Sequence, residues 1–199
     1  MILKDIKICS QNICKNNFVI NIILETYNSY DIIFIQEPSW SFICSIPSSI
    51  NKKGKELVEV PNYPNWITFS RNSLYIGNSS RAITYINIRL SLLCFSPWKD
   101  IFNYRDISCI FFFNHRLVHF LINIYSDLSQ SALKYLNDTE VNIGNILIIT
   151  GDFNIRNSIW DPYFPYHLLY NNILFKVADS LYLELCKPTE YFLTRYSDN

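Results

Sequence analysis

The stretch NILIITGDFN, residues 145–154, constrains this chain more than any other. Its apolar part is strand-length and rich in β-branched residues, which reads as a buried strand. It then runs straight into a carboxylate and an amide, Asp152 and Asn154, with Trp160, Asp161 and Pro162 soon after. A greasy strand that ends in such groups points to a site at a strand end.

Other segments repeat the pattern. LKDIKICSQN alternates at Ile6 and Ile8 and reads as a first strand that ends near Asn12. DIIFIQEP is a short continuous apolar run closed by Pro38, hence a buried strand that ends near Glu37. RDISCIFFFN and RLVHFLINIYSD form a strand pair with a polar turn near Asn114–Arg116, and the second ends near Tyr125. NWITFS and RAITYINIRLSLL read as strands, the latter favoured by Ile83, Tyr85 and Ile86 to Ile88.

Three segments have helical spacing. NNFVINIILETYNSYD places Phe18, Ile22, Ile23 and Tyr27 on one stripe. SQSALKYLNDTEVN has Ser129 as a candidate cap and Ala132, Leu133 and Leu136 on one face. NNILFKVADSLYLELCKP puts Leu174, Val177, Ala178 and Leu181 at i, i+3, i+4, i+7 and is expected to stop near Pro188. Residues 41–65, rich in Ser, Pro, Asn and Lys, read as loop. Strands outnumber helices and helices separate some of them, so the expected architecture is an α/β sandwich with mixed sheets.

With 199 residues the chain is expected to form one domain with a single core. The formal net charge is zero, which argues against tight nonspecific DNA binding without excluding a local basic patch. None of the six cysteines forms a C-x-x-C pair, and no histidine stands at zinc-finger spacing. Reduced, buried thiols without disulfide partners are expected, in an intracellular protein, nuclear or cytoplasmic and not secreted. No signal-peptide pattern opens the chain, and no apolar run approaches the roughly 18 residues of a membrane span, so no membrane partner is expected.

The strand-end residues have mutually consistent chemistry. Ligands of α/β folds gather outside strand ends. A hard cation such as Mg²⁺ takes oxygen ligands, which Glu37 offers as a carboxylate and Asn12 as an amide. Asp152 can orient or deprotonate a water, and Asn154 and Tyr125 can hydrogen-bond a phosphate as charge builds on it. Each has a plainer reading: Asn12 as a turn residue, Glu37 as a solvated loop acid, Tyr125 as a core-edge side chain, Gly151-Asp152 as an ordinary turn.

Taken together, the motifs resemble the endonuclease/exonuclease/phosphatase superfamily, most closely the apurinic-endonuclease-like domain of non-LTR retrotransposons. The residues that carry the resemblance are Asn12 in SQN, Gln36-Glu37, Asn123-Ile124-Tyr125 and Gly151-Asp152-Phe153-Asn154, with Trp160-Asp161-Pro162 similar to a turn that follows in retrotransposon copies. The resemblance implies a two-sheet α/β sandwich, Mg²⁺ (or Mn²⁺) as cofactor and DNA as substrate. It implies Glu37 as a metal ligand with Asn12 beside the metal, Tyr125 on the phosphate, Asp152 positioning the water, and Asn154 assisting. The family closes its site with a Ser-Asp-His motif, whereas this chain runs out at TEYFLTRYSDN. Residues 1–199 are therefore expected to be an incomplete domain that lacks its C-terminal strands. Of three histidines, His115 and His119 read as surface or structural, and His167 is a lesser candidate near the site. Arg156 and Arg81 are lesser candidates for phosphate contact, as are Lys52, Lys53 and Lys55 for DNA.

Three functions compete: a metal-dependent DNA endonuclease, first by resemblance to the family; a phosphatase of the same fold acting on a small phosphoester; and an inactive remnant of the domain, which the absent closing motif favours for this chain alone.

Overall fold

The computed structural model describes residues 6–38, 44–47, 55–58, 63–70, 80–98, 105–114, 117–138, 146–155 and 172–184. Two four-stranded mixed sheets lie face to face between helices, an α/β sandwich. The first sheet has the order β1-β2-β6-β5, from Ile8–Asn12, Ile32–Gln36, Ala82–Asn87 and Trp66–Phe69. The second has the order β10-β9-β8-β7, from Ile146–Asp152, Leu117–Tyr125, Ile107–Asn114 and Ser96–Pro97. In each sheet one pair is parallel, β1 with β2 and β10 with β9, and the other pairs are antiparallel.

Side-chain alternation assigns each strand residue to a layer. Ile33 and Ile35 of β2 pack with Ile83 and Tyr85 of β6 beneath α1, Asn17–Thr26. Ile32 and Phe34 turn the other way and meet Ile86, Ile110, Phe112 and Leu121 between the sheets. On the far side, Ile107, Cys109, Ile122 and Ile124 take Ala132, Leu133 and Leu136 of α2, Ser131–Asp138, and Val177 of α3, Asn172–Ser180.

The layer between the sheets changes character along the strands. One end is apolar. Further along, the Thr84 and Ser108 hydroxyls meet at 2.8 Å. Beyond them, fully buried Asn123 donates to the carbonyls of Ile35 at 3.1 Å and Ile83 at 2.8 Å. Its oxygen accepts from Gln36 Nε2 at 2.6 Å, and Gln36 also reaches Ser10 Oγ at 3.1 Å. Each buried amide thus finds partners, as burial demands. This belt joins the sheets directly beneath the ends of β1, β2, β9 and β10.

Several expectations need correction. Strand β10, read as buried, is the edge of its sheet, half-buried with Leu147 exposed, because among the described residues only β9 pairs with it. Residues 41–65 hold a hairpin, β3 Cys44–Pro47 with β4 Lys55–Val58, because turn-rich composition does not forbid strands this short. The long strand expected at 81–93 breaks after Asn87, whose side chain accepts from Arg89 N–H and starts a 3-10 turn at Ile88–Leu93. In α1 the buried stripe is Ile20, Ile23 and Leu24, while Phe18 and Ile22 are exposed. A helix apolar on several faces does not declare which one packs. Asp127, not Ser129, serves the start of α2: its carboxylate accepts from Ser131 N–H at 3.4 Å and from the Ser129 hydroxyl at 2.6 Å. Helix α3 stops at Ser180, well before Pro188, where Tyr182 turns left-handed and Leu183 N–H bonds back to the Ala178 carbonyl at 2.9 Å.

Among the described cysteines, Cys9, Cys14, Cys94 and Cys109 are free thiols. Cys109 is buried and Cys9 half-buried, but Cys14 and Cys94 are exposed, because both sit in turns with positive φ rather than inside strands. No described helix is long and apolar enough to cross a membrane. Residues 185–199, on which the expectation of missing strands rests, lie outside the described residues.

Candidate active site

The C-terminal ends of β1, β2, β9 and β10 open on the same edge of the sandwich, as do the starts of antiparallel β6 and β8. Five residues singled out in the sequence meet or neighbour one another there. Asn12 is central: its Nδ2 donates to Glu37 Oε2 at 3.1 Å and to Asp152 Oδ2 at 2.6 Å. One amide therefore holds together two carboxylates from different sheets, with 140 residues of separation between Asn12 and Asp152.

Local folding fixes each of them. Asn12 Oδ1, the oxygen offered to a cation on sequence grounds, accepts from Cys14 N–H at 2.8 Å. That bond closes the turn after β1, in which Cys14 and Lys15 take φ of 47° and 61°, and it aims the Asn12 NH₂ at the acids. Asn16 then caps α1 by accepting from Phe18 and Val19 N–H.

Glu37 has φ of 49°, a left-handed conformation that costs a non-glycine residue of order 1–3 kcal/mol. It is held from both sides, its N–H on the Arg81 carbonyl at 2.9 Å and its carbonyl under Lys15 N–H at 2.8 Å.

Gly151 precedes the second acid with φ of 147°. A Cβ there would stand 1.8 Å from the Ile124 carbonyl oxygen, so only glycine lets β10 approach β9 at this point. Asp152 Oδ1 accepts from Asn154 N–H at 2.9 Å. Asn154, left-handed at φ of 48°, donates from Nδ2 to the Ser126 carbonyl at 2.8 Å. Its amide thus ties the end of β10 to the end of β9.

Tyr125 lies half-buried beside these groups. Burial raises its phenol pKa, and the charge of Glu37 and a hydrogen bond to Glu37 raise it further, against the opposing effect of Arg81. The phenol is thus kept as a proton donor beside the acids.

Asp106 and Asp127 had no signal in the sequence. Asp106, 1% exposed, takes Arg81 in a two-point ion pair, Nε–Oδ1 2.5 Å and Nη2–Oδ2 2.6 Å. Arg81 Nη2 also reaches Asp127 Oδ2 at 3.1 Å, and its guanidinium carbon lies 4.4 Å from the Tyr125 ring centroid. These partners stand 25 and 46 residues from Arg81, distances that no local periodicity reveals. Burial works against the Asp127 charge, but the Ser129 hydroxyl, Arg81 and the Ser131 N–H and hydroxyl outweigh it and hold the carboxyl well below the usual range.

Glu37 offers the carboxylate oxygen that a hard cation takes, and it shares the Asn12 NH₂ with Asp152. No group of three or more His, Cys, Asp or Glu with metal-holding geometry occurs among the described residues. His119 lies on β9 with its ring 5.3 Å from Phe112, six residues before Tyr125 and so roughly 20 Å away at strand spacing. Arg156, His115, His167, Lys52, Lys53 and the Trp160–Pro162 segment lie outside the described residues. Lys55 is described only as backbone, in β4.

No family model matches the chain, and no curated protein matches it at a significant level. Among solved structures, the endonuclease domain of TRAS1, a telomere-specific non-LTR retrotransposon, matches with a TM-score of 0.60. The match covers 86% of this chain and 70% of that one, at 14% sequence identity. The two chains share a fold. That fold is the two-sheet α/β sandwich with helices outside, which is the architecture expected from the sequence.

Proposed function

We propose that this chain is a metal-dependent phosphodiesterase of the endonuclease/exonuclease/phosphatase superfamily, a DNA endonuclease of the retrotransposon type. The observation that carries this reading is the single amide of Asn12 bonded to both Glu37 and Asp152 at the shared strand-end edge. The likeness of fold to a retrotransposon endonuclease domain supports the choice of substrate.

In this reading Glu37, with Asn12 beside it, holds Mg²⁺ or Mn²⁺. When bound, such an ion supplies positive charge that polarises a phosphoryl oxygen and stabilises the leaving oxygen. The protein's own groups do the rest. Asp152, fixed by Asn154 N–H and Asn12 Nδ2, accepts the proton of the attacking water. Tyr125, protonated, donates to a phosphate oxygen as charge develops there. Asn154 holds the Asp152 turn against β9. Partners are DNA as substrate, in an intracellular setting.

A second reading, a phosphatase acting on a small phosphoester, is favoured by the zero net charge and by the acids around Tyr125. The test compares nicking of supercoiled plasmid with hydrolysis of a small phosphomonoester, each with Mg²⁺ and with chelator. Plasmid nicking that needs Mg²⁺ and falls at least about 100-fold in Asp152→Ala supports the endonuclease. Preferential turnover of the small ester supports the phosphatase. If neither is turned over, and Glu37→Ala leaves weak Mg²⁺ binding unchanged, the chain is a catalytically inert relative.

A further inference from the structure

Arg81, just ahead of β6, touches the frame of the site at four points. Its carbonyl accepts the Glu37 N–H, which fixes the left-handed residue that carries the first acid. Its own N–H crosses to the other sheet and donates to the Arg105 carbonyl at 2.6 Å. Its guanidinium is pinned by Asp106 and Asp127. The pinned plane then lies over the ring of Tyr125.

On sequence grounds Arg81 is a cation available to a phosphate. The structure uses it differently, since Nε and Nη2 are already committed to carboxylates, one of them nearly fully buried. A guanidinium is suited to this work: it is planar, it forks onto a carboxylate at two points, and it stacks on an aromatic face, none of which an ammonium can do together.

We propose that Arg81 is a positioning residue that acts through Tyr125, its clamped guanidinium holding the phenol ring in place so that the hydroxyl faces Glu37 and the phosphate beside it. The proposal rests on the phosphodiesterase reading of the same site. Asp106 and Asp127 are the other two parts of the device, reaching Arg81 from the starts of β8 and of the turn after β9.

The decisive experiment is a double-mutant cycle on plasmid nicking with Mg²⁺, using wild type, Arg81→Met, Tyr125→Phe and the double variant. Misplacement of a reacting group by about 1 Å costs up to roughly 100-fold in rate. Arg81→Met alone should therefore lose about ten- to a hundredfold in kcat with little change in KM. In the Tyr125→Phe background the same change should cost almost nothing, because the ring no longer carries the hydroxyl to be aimed. Losses that multiply would place Arg81 on the substrate itself and overturn the proposal.

Arg81→Met leaves nearly buried Asp106 with only the longer Arg105 Nε contact at 3.5 Å, so Arg81→Met/Asp106→Asn is run beside it to preserve folding. It should show the same loss, and a wild-type rate in the folded double variant refutes the clamp. Arg81→Lys should be nearly as poor as Arg81→Met, since charge without the plane does not hold a ring.

A second readout needs no activity. In protein carrying ¹³Cζ-tyrosine, the Tyr125 signal is the one absent from Tyr125→Phe. Arg81→Met should shift that signal at neutral pH, because the guanidinium no longer lies over the ring. An unmoved signal sinks the clamp whether or not the chain cuts DNA. A moved signal with no phosphodiester cleavage by wild type leaves the clamp standing and removes the phosphodiesterase reading instead.

Discussion

Replacing Gly151 with alanine tests the strand-end geometry most directly. The new Cβ would stand 1.8 Å from the Ile124 carbonyl oxygen and 2.7 Å from its carbon, both backbone atoms, so no side chain can swing aside to relieve the clash. The φ of 147° adds strain of about 1–3 kcal/mol for a residue with a side chain. Separating the strands disturbs the pairing of Gly151 with Ile124 and of Asp152 with Tyr125, and two ladder hydrogen bonds are worth roughly 2 kcal/mol together. Alanine also restricts the unfolded chain, which returns about 0.5–1 kcal/mol. The balance is a loss of about 2–4 kcal/mol. At a urea slope of roughly 2 kcal/mol per molar, the unfolding midpoint should drop by about 1–2 M. Asp152 moves with the strand, so any nuclease activity should fall further than stability does. A Gly151→Ala protein whose midpoint lies within about 0.3 M of wild type, with the slope unchanged, would refute the close approach of β10 to β9.

Other measurements probe separate parts of the molecule. Asn123→Leu keeps the volume but strips partners from Gln36 and from the Ile35 and Ile83 carbonyls, so it should cost about 2–4 kcal/mol in urea unfolding. Iodoacetamide at pH 8 should label exposed Cys14 and Cys94 in the native protein and spare Cys109, whose thiol burial pushes up to about 12; peptide mapping reads the difference. The Asp127 carboxyl has a lowered folded pKa, so the stability it contributes is present above the ordinary carboxylate range of about 4 and is lost as pH falls below it. Asp127→Asn should accordingly show a smaller drop in melting temperature than wild type between pH 5 and pH 3, within the range in which both remain folded.

What the sequence disclosed and what it hid follow from the reach of the interactions. Strand β2 and the β8–β9 pair were legible because a continuous apolar run of strand length has few other uses. The stripe of α2 was legible because polar residues mark its outer side, whereas α1, apolar on several faces, hid its packing side. The strand-end residues were visible as polar stops on apolar runs, and it was the resemblance of their motifs to a known family that implied a common site. Their actual arrangement was not visible. That Asn12 turns its NH₂ rather than its oxygen toward the acids depends on a turn made by Cys14. That Arg81 is engaged rather than free depends on Asp106 and Asp127, brought near it only when the sheets meet. The hairpin β3–β4 was hidden for the opposite reason: its local composition suggests turns, and only pairing makes it strand.

The buried link between Gln36 and Asn123 has a consequence for how the molecule tolerates change. Water drawn toward the acids meets, immediately below them, amides already engaged with one another and with strand carbonyls, and it finds little left to hydrate. The mouth can stay wet while the far end stays dry. Substitutions at the dry end, at Phe34 or Phe112 for instance, are then felt as a lower melting temperature alone. A substitution in the amide layer opens a path for solvent between the two halves, and stability and any chemistry at the acids fail together.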